Sequence, residues 1–238
     1  MKRPGFSLLE CLLALALSLF IAVAGFEFFG LARKAFSRLK DREEAAQAAW
    51  AAIDKVRIDL LHAGSGLAAE SALGLVDAAL VAGDALRTTC LESELALAAA
   101  ASPGATRVFF ASTAGIASGQ DICLSEGPAG EVRTVVAVER DAVVLESPLE
   151  HGYSPASATV SLLERVAYSL DTPARVLRRR VNSASAQPLL DNAAAADWQF
   201  DAEAGLVRVR LELGLEGAPA YGTTVFLKNQ ALSRSSGT

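Results

Sequence analysis

The chain has 238 residues, which fits one large domain or two small ones with enough material to bury a core. Hydrophobic residues make up 52% and charged residues 21%, which excludes a disordered or collagen-like chain. A formal net charge of −5 argues against a whole-molecule nucleic-acid binder. Two His (His62, His151) and three Cys (Cys11, Cys90, Cys123) leave little for a metal site, so neither metal nor cofactor is expected.

The N-terminus departs from this average. Met1–Gly5 reads M-K-R-P-G, and Phe6–Phe26 is an apolar run of 21 residues whose one charge is Glu10. As a helix it spans roughly 30 Å, the thickness of a bilayer's hydrocarbon core. A secretory signal or a plain signal anchor accounts poorly for Glu10, because a carboxylate in lipid costs about 2–3 kcal/mol at mid-helix. Cleavage at A-V-A-G (Ala22–Gly25) would make Phe26–Arg42 the start of the mature chain.

The helix continues beyond the membrane, since no proline occurs between Pro4 and Pro103. Phe36, Leu39, Glu43, Ala46, Trp50, Ile53, Arg57 and Leu60 follow 3-4 spacing and predict an amphipathic half lying against a domain. Gly64 and Gly66 mark its end, with His62 in the last turn. Phe6 to about His62 would be one helix of roughly 85 Å, with Gly25 and Gly30 as points of bending or close approach.

After Gly66, Ala-rich stretches (Ala96–Ala101, Ala193–Ala196) alternate with β-like runs. Strands are predicted at Arg107–Ala111, Asp121–Ser125, Val132–Glu139, Ala142–Glu146, Val160–Leu170 and Leu206–Leu213. Glu139–Asp141 reads as a tight hairpin, and strict alternation marks Leu206–Leu213 as half-buried. Short loops between neighbouring strands favour an antiparallel sheet, and Ser233–Thr238 reads as a frayed tail.

The stretch K-R-P-G-F-S-L-L-E (Lys2–Glu10) resembles the class III signal of type IV prepilins and type II secretion pseudopilins. The resemblance implies cutting between Gly5 and Phe6 by a prepilin peptidase, then N-methylation of Phe6. The new amine has a reference pKa near 8 and is largely cationic. Glu10 of one subunit would meet the Phe6 amine of its neighbour, neutralising two charges that are costly in lipid and setting assembly register. The alternative is that Glu10 snorkels to the headgroups. Asp59–Gly64, Gly119–Leu124, Ser147–Tyr153 and Arg165–Arg180 look, more loosely, like the minor pilins called PilW and the related J-type minor pseudopilins.

The fold implied is α+β and pilin-like, a long N-terminal helix packed on an antiparallel β-sheet domain. Its divisions are a leader over 1–5, a transmembrane or filament-core half over 6–32, an amphipathic half over 33–64 and an extracytoplasmic β-rich domain over 65–238. The function implied is a low-copy, non-enzymatic subunit that primes filament assembly at the inner membrane and sits at the tip. Its partners would be other minor pilins, the major pilin, the peptidase, the inner-membrane assembly platform and lipid. The alternatives are a J-type pseudopilin of type II secretion and a membrane-anchored binding or hydrolytic domain. The resemblance places the N-terminus in the cytoplasm and the C-terminal domain in the periplasm, although Arg33, Lys34, Arg38, Lys40 and Arg42 beyond the apolar run outnumber Lys2 and Arg3.

Other chemistry is thin. Neither His has nucleophile-elbow or metal-ligand spacing, and Gly66–Glu70 is not a phosphate loop. Residues 43–238 carry 15 Lys/Arg against 24 Asp/Glu, so the Arg178–Arg180 triplet reads as a solvated edge strand and no nucleic-acid partner is expected. Cys90 and Cys123 lie past the membrane helix and are candidates for a disulfide; the alternative is two separate buried thiols. Cys11, in the span, is read as a small apolar filler.

Overall fold

Fifty-five residues, Leu8–His62, form one α-helix, α1, in the computed structural model, which describes residues 8–215 and 217–229. The chain divides into two compact units, Met1–Gln47 and Ala48–Thr238, and α1 contributes to both. In the first unit α1 is exposed throughout its apolar run, from Leu8 to Leu39. The leader residues, Gly5 and Phe6 among them, and the Ser233–Thr238 tail lie outside the described residues.

In the second unit α1 buries Ala49, Ala52, Ile53, Val56, Asp59 and Leu60. This corrects the predicted stripe. Phe36, Leu39, Trp50 and Arg57 are exposed, and only Ile53 and Leu60 of that set are buried. The physical reason is size: Ala49 and Ala52 let the helix backbone lie close to the sheet, so small residues make the seam. Trp50 stands at its side and meets Tyr221 edge to face, ring centroids 5.6 Å apart. The helix ends where predicted. Gly64 and Gly66 have φ of 73° and 75°, and a Cβ on Gly66 would lie 2.6 Å from Leu91 Cδ2, so only glycine fits this turn.

A short helix α2 (Ala68–Ala72) follows, then twelve strands: β1 (Ala79–Ala82), β2 (Ala85–Leu95), β3 (Arg107–Phe109), β4 (Asp121–Glu126), β5 (Ala129–Val138), β6 (Ala142–Leu145), β7 (Thr159–Asp171), β8 (Val176–Val181), β9 (Gln187–Asp191), β10 (Ala193–Asp201), β11 (Leu206–Leu213) and β12 (Tyr221–Phe226). All the described pairings between them are antiparallel, so the class is α+β. One sheet runs β1-β2-β7-β4-β5-β6-β3, with β8 on β7 and β9 on β8; β10-β11-β12 form a second. Glu139–Asp141 makes the predicted hairpin, closed by Glu139 N–H donating to Ala142 O at 2.8 Å.

β7 organises the large sheet. β2 covers one of its edges over Val160–Ser169. β4 and β8 therefore share the other, β4 along Thr159–Leu163 and β8 along Val166–Asp171. At the seam Asn182 N–H donates to Arg165 O, and Arg165 N–H donates to Asn182 Oδ1, each at 2.7 Å.

The two faces of β7 do different work. Tyr168 faces α1, and Ser161, an odd number of residues away, lies on the opposite face and donates to Glu70 of α2 at 2.6 Å. Between the two helices the chain crosses the rim of the sheet. There Gly64 N–H donates to Thr89 O at 2.7 Å and Leu91 N–H donates to Ser65 O at 2.9 Å, covering the edge of β2 that β1 leaves open.

Candidate functional site

The first unit's helix is the candidate membrane and assembly element. Among the described residues it is the one helix long and apolar enough to cross a bilayer, with a mean hydropathy of 2.4 over its most apolar window. Glu10 sits in its first turn, where a carboxylate is favoured by the helix dipole. Ser18 Oγ donates back to Leu15 O at 2.8 Å, so this hydroxyl is satisfied within the helix, as a lipid surrounding requires. A Cβ on Gly25 or Gly30 would meet nothing within 4 Å. Over Gly25 the flank is hollow, bounded by Ala22, Phe26 and Phe29. The glycines leave room for another helix and make no packing demand of their own chain.

In the second unit the end of α1 is fixed by a carboxylate that sequence reasoning did not single out as buried. Asp59, 8% exposed, lies on the seam facing β7 and β8. Arg179 Nε donates to Asp59 Oδ2 at 2.7 Å, Tyr168 Oη donates to the same oxygen, and Lys55 Nζ pairs with Oδ1 at 3.1 Å. Burial by itself would raise the Asp59 pKa. The hydrogen bonds from Arg179, Tyr168 and Lys55, with the Arg179 charge, outweigh it and hold the carboxyl below its ordinary 3.8. Burial first, then the hydrogen bond to Asp59 and its charge, push the Tyr168 phenol well above its usual range, with Arg179 pulling the other way. The signal for Asp59 was its place in the spacing 49, 52, 56, 59, where an acid interrupts an apolar stripe.

A second buried carboxylate ties down the Ser147–Tyr153 loop. Glu131, 5% exposed, accepts from the backbone N–H of Glu150 and His151 and from Tyr153 Oη at 2.9 Å, and pairs with Arg133 at 2.5 Å. Again burial would raise its pKa, and these donors bring it below the ordinary 4.5.

The Arg178–Arg180 triplet alternates as a strand must, but β8 is not an edge, because β9 pairs with its far side. Arg179 faces α1 and holds Asp59, while Arg178 and Arg180 face the other way, Arg178 paired to Asp171 at 2.9 Å. The Cys90–Cys123 disulfide is also corrected, since all three cysteines are free. Cys90 pairs with Glu164 and Cys123 with Ser161, on opposite edges of β7. They stand two strand spacings apart, roughly 9–10 Å, with a further three residues of offset and on opposite faces; a disulfide needs Cα atoms within about 7 Å. Burial chiefly, with Glu164 nearby, raises the Cys90 thiol to about 11, and burial with Glu70 raises Cys123 to about 12.

His62 lies in the last turn of α1, and His151 in the loop that Glu131 holds. No protein-family model and no curated protein matches the chain. Among solved structures it has a weak likeness to the Gp54 tailspike of Acinetobacter baumannii bacteriophage AP22, solved with a capsular saccharide (13% identity, TM-score 0.29, 32% of this chain and 15% of that one). A second is the tailspike protein gp49 of Pseudomonas phage LKA1 (25% identity, TM-score 0.26, 31% and 15%), and a third the phage phi92 endosialidase (12% identity, TM-score 0.22, 64% and 35%). The chain spans about a seventh of each tailspike and a third of the endosialidase, and superpositions this loose carry no argument about its fold or its work.

Proposed function

We propose that this protein is a minor-pilin-like subunit, anchored in the inner membrane and acting by assembly. The observation that carries the reading is α1. Its first part is apolar and exposed, carries Glu10 in its first turn and follows a stretch that resembles a prepilin leader, and its last turns are locked into a β domain through Asp59. Helices of neighbouring subunits pack side by side over Gly25 and Gly30, and Glu10 meets the amine of a processed Phe6. The β domain stays in the periplasm and docks other minor pilins. The major pilin, the prepilin peptidase and the assembly platform are the remaining partners.

Mass spectrometry of the mature protein from its own host tests the reading. A chain that lacks the first five residues and starts at N-methylated Phe6 is the expected result. An intact Met1, or a start near Phe26, overturns it.

A further inference from the structure

On the face of the large sheet away from α1, three arginines surround one small residue. Leu80, Arg87, Ala167 and Arg180 form a single row across β1, β2, β7 and β8. Arg165 stands on the same face two residues along β7. Arg87 and Arg180 flank Ala167 with Cα atoms roughly 9–10 Å apart, so both long side chains reach over its methyl group. The row borders the seam where β4 and β8 part along β7, and the parting opens a cleft of about 190 Å³.

The charges in the cleft do not cancel. Asp121 pairs with Arg165 and is itself held by Thr134 Oγ1 at 2.6 Å. Arg87 and Arg180 are exposed and have no ion pair among the described residues. Asn182 gives its side-chain oxygen to Arg165 N–H, which leaves its amide N–H₂ as a further donor at the cleft. Two uncompensated guanidinium groups and an amide on one small concavity stand out in a region where residues 43–238 carry nine more acids than bases. A second hollow, of about 210 Å³, shares Arg87 and Arg165 as a wall, continues over Leu75 and Leu80, and carries the Asp77 carboxylate on its lining, outside the cleft itself.

We infer that this cleft binds a dianionic phosphate-type group. A phosphate monoester carries about −1.5 to −2 charge at neutral pH, which balances Arg87 and Arg180, and its oxygens suit the planar guanidinium fork. The neighbouring hollow gives an attached organic body somewhere to lie. This site is independent of the helix and of the assembly reading.

Isothermal titration calorimetry on the full chain in an uncharged detergent tests it, with inorganic phosphate, glucose 6-phosphate and succinate as probes. Saturable one-to-one binding of a phosphate is expected, weakened at least tenfold by Arg87→Gln and by Arg180→Gln. Arg208→Gln, at an exposed arginine of β11 away from the cleft, is expected to bind like the parent. Tighter binding of glucose 6-phosphate than of phosphate identifies an organic phosphate as the natural ligand; equal binding identifies the free anion. Circular dichroism confirms that the variants fold, which their exposed, unpaired positions favour. Absence of saturable binding by either phosphate, equal weakening by Arg208→Gln, or a preference for succinate overturns the proposal.

Discussion

Asp59 is the residue on which the domain's grip on α1 turns. Removing one partner of a buried ion pair costs about 3–5 kcal/mol, because the other charge is left without compensation. Asp59→Ala is expected to lose stability on that order in urea denaturation, and Asp59→Ala with Arg179→Met to recover part of the loss. Purely additive losses would show that the pair is not coupled. The folded state holds the Asp59 and Glu131 protons less readily than the unfolded chain does, since both pKa values are lowered. Their stabilisation is complete above the ordinary carboxylate values and drains away as pH falls below about 4 through the lower, folded values. The urea midpoint is therefore expected to be flat from pH 7 to 5 and to fall steeply under pH 4; a flat profile to pH 3 would contradict it. At the other end of α1, Glu10→Ala is expected to leave membrane insertion intact and to reduce incorporation into filaments, as read by immunoblots of membrane and sheared fractions. Normal incorporation would remove the charge-pair role.

At the scale of elements, the sequence was clearest where pattern and packing coincide. β11 was read to its ends, Leu206–Leu213, because Val207, Val209 and Leu211 are buried and Arg208 and Arg210 are not. β10 was hidden in an Ala-rich stretch, since alanine carries no β signal and this strand is specified by its pairing with β11. β2 escaped because, besides Leu86, its buried positions are Thr88 and Thr89, set among Arg87, Glu92 and Glu94. The apolar half of α1 was legible from composition alone. Asp59 as an anchor was not, because Tyr168 and Arg179 lie 109 and 120 residues further along the chain. The disulfide reading failed for a related reason: cysteine count and compartment say nothing about strand order, and β7 lies between the two strands. Three titratable thiols are expected in the denatured, unreduced protein. The hollow over Gly25 makes another element-level prediction. Gly25→Ile should leave the thermal midpoint unchanged, because a Cβ there meets nothing, yet should lower filament incorporation, because a neighbouring helix would meet the new side chain. A lowered midpoint with full incorporation would reverse the assignment.

For the whole molecule, the proposed role makes a statement about copy number. Residues 43–238 carry nine more acids than bases, so copies repeated closely around a shaft would set like charge against like. Deletion of the protein is expected to abolish or sharply reduce filaments while the major subunit accumulates in the membrane. Quantitative proteomics of sheared filaments should find it at a small fraction of the major subunit; comparable amounts would place it in the shaft.

The crossing of the sheet rim between Ala63 and Leu67 also determines how this domain bears traction. A pull delivered through α1 meets the Ala49–Leu60 seam and the Asp59 contacts first, and these lie along the helix, so they resist together in shear. Behind them come the Gly64–Thr89 and Ser65–Leu91 hydrogen bonds, which stitch the chain to the edge of β2, and the Asn229 amide, which donates to Ala63 O at 2.9 Å. The helix is held by several contacts loaded together, and forced release is set by the rate at which they break, not by the strength of any one of them. In the proposed role, a subunit held in a filament by this helix would need that kind of attachment.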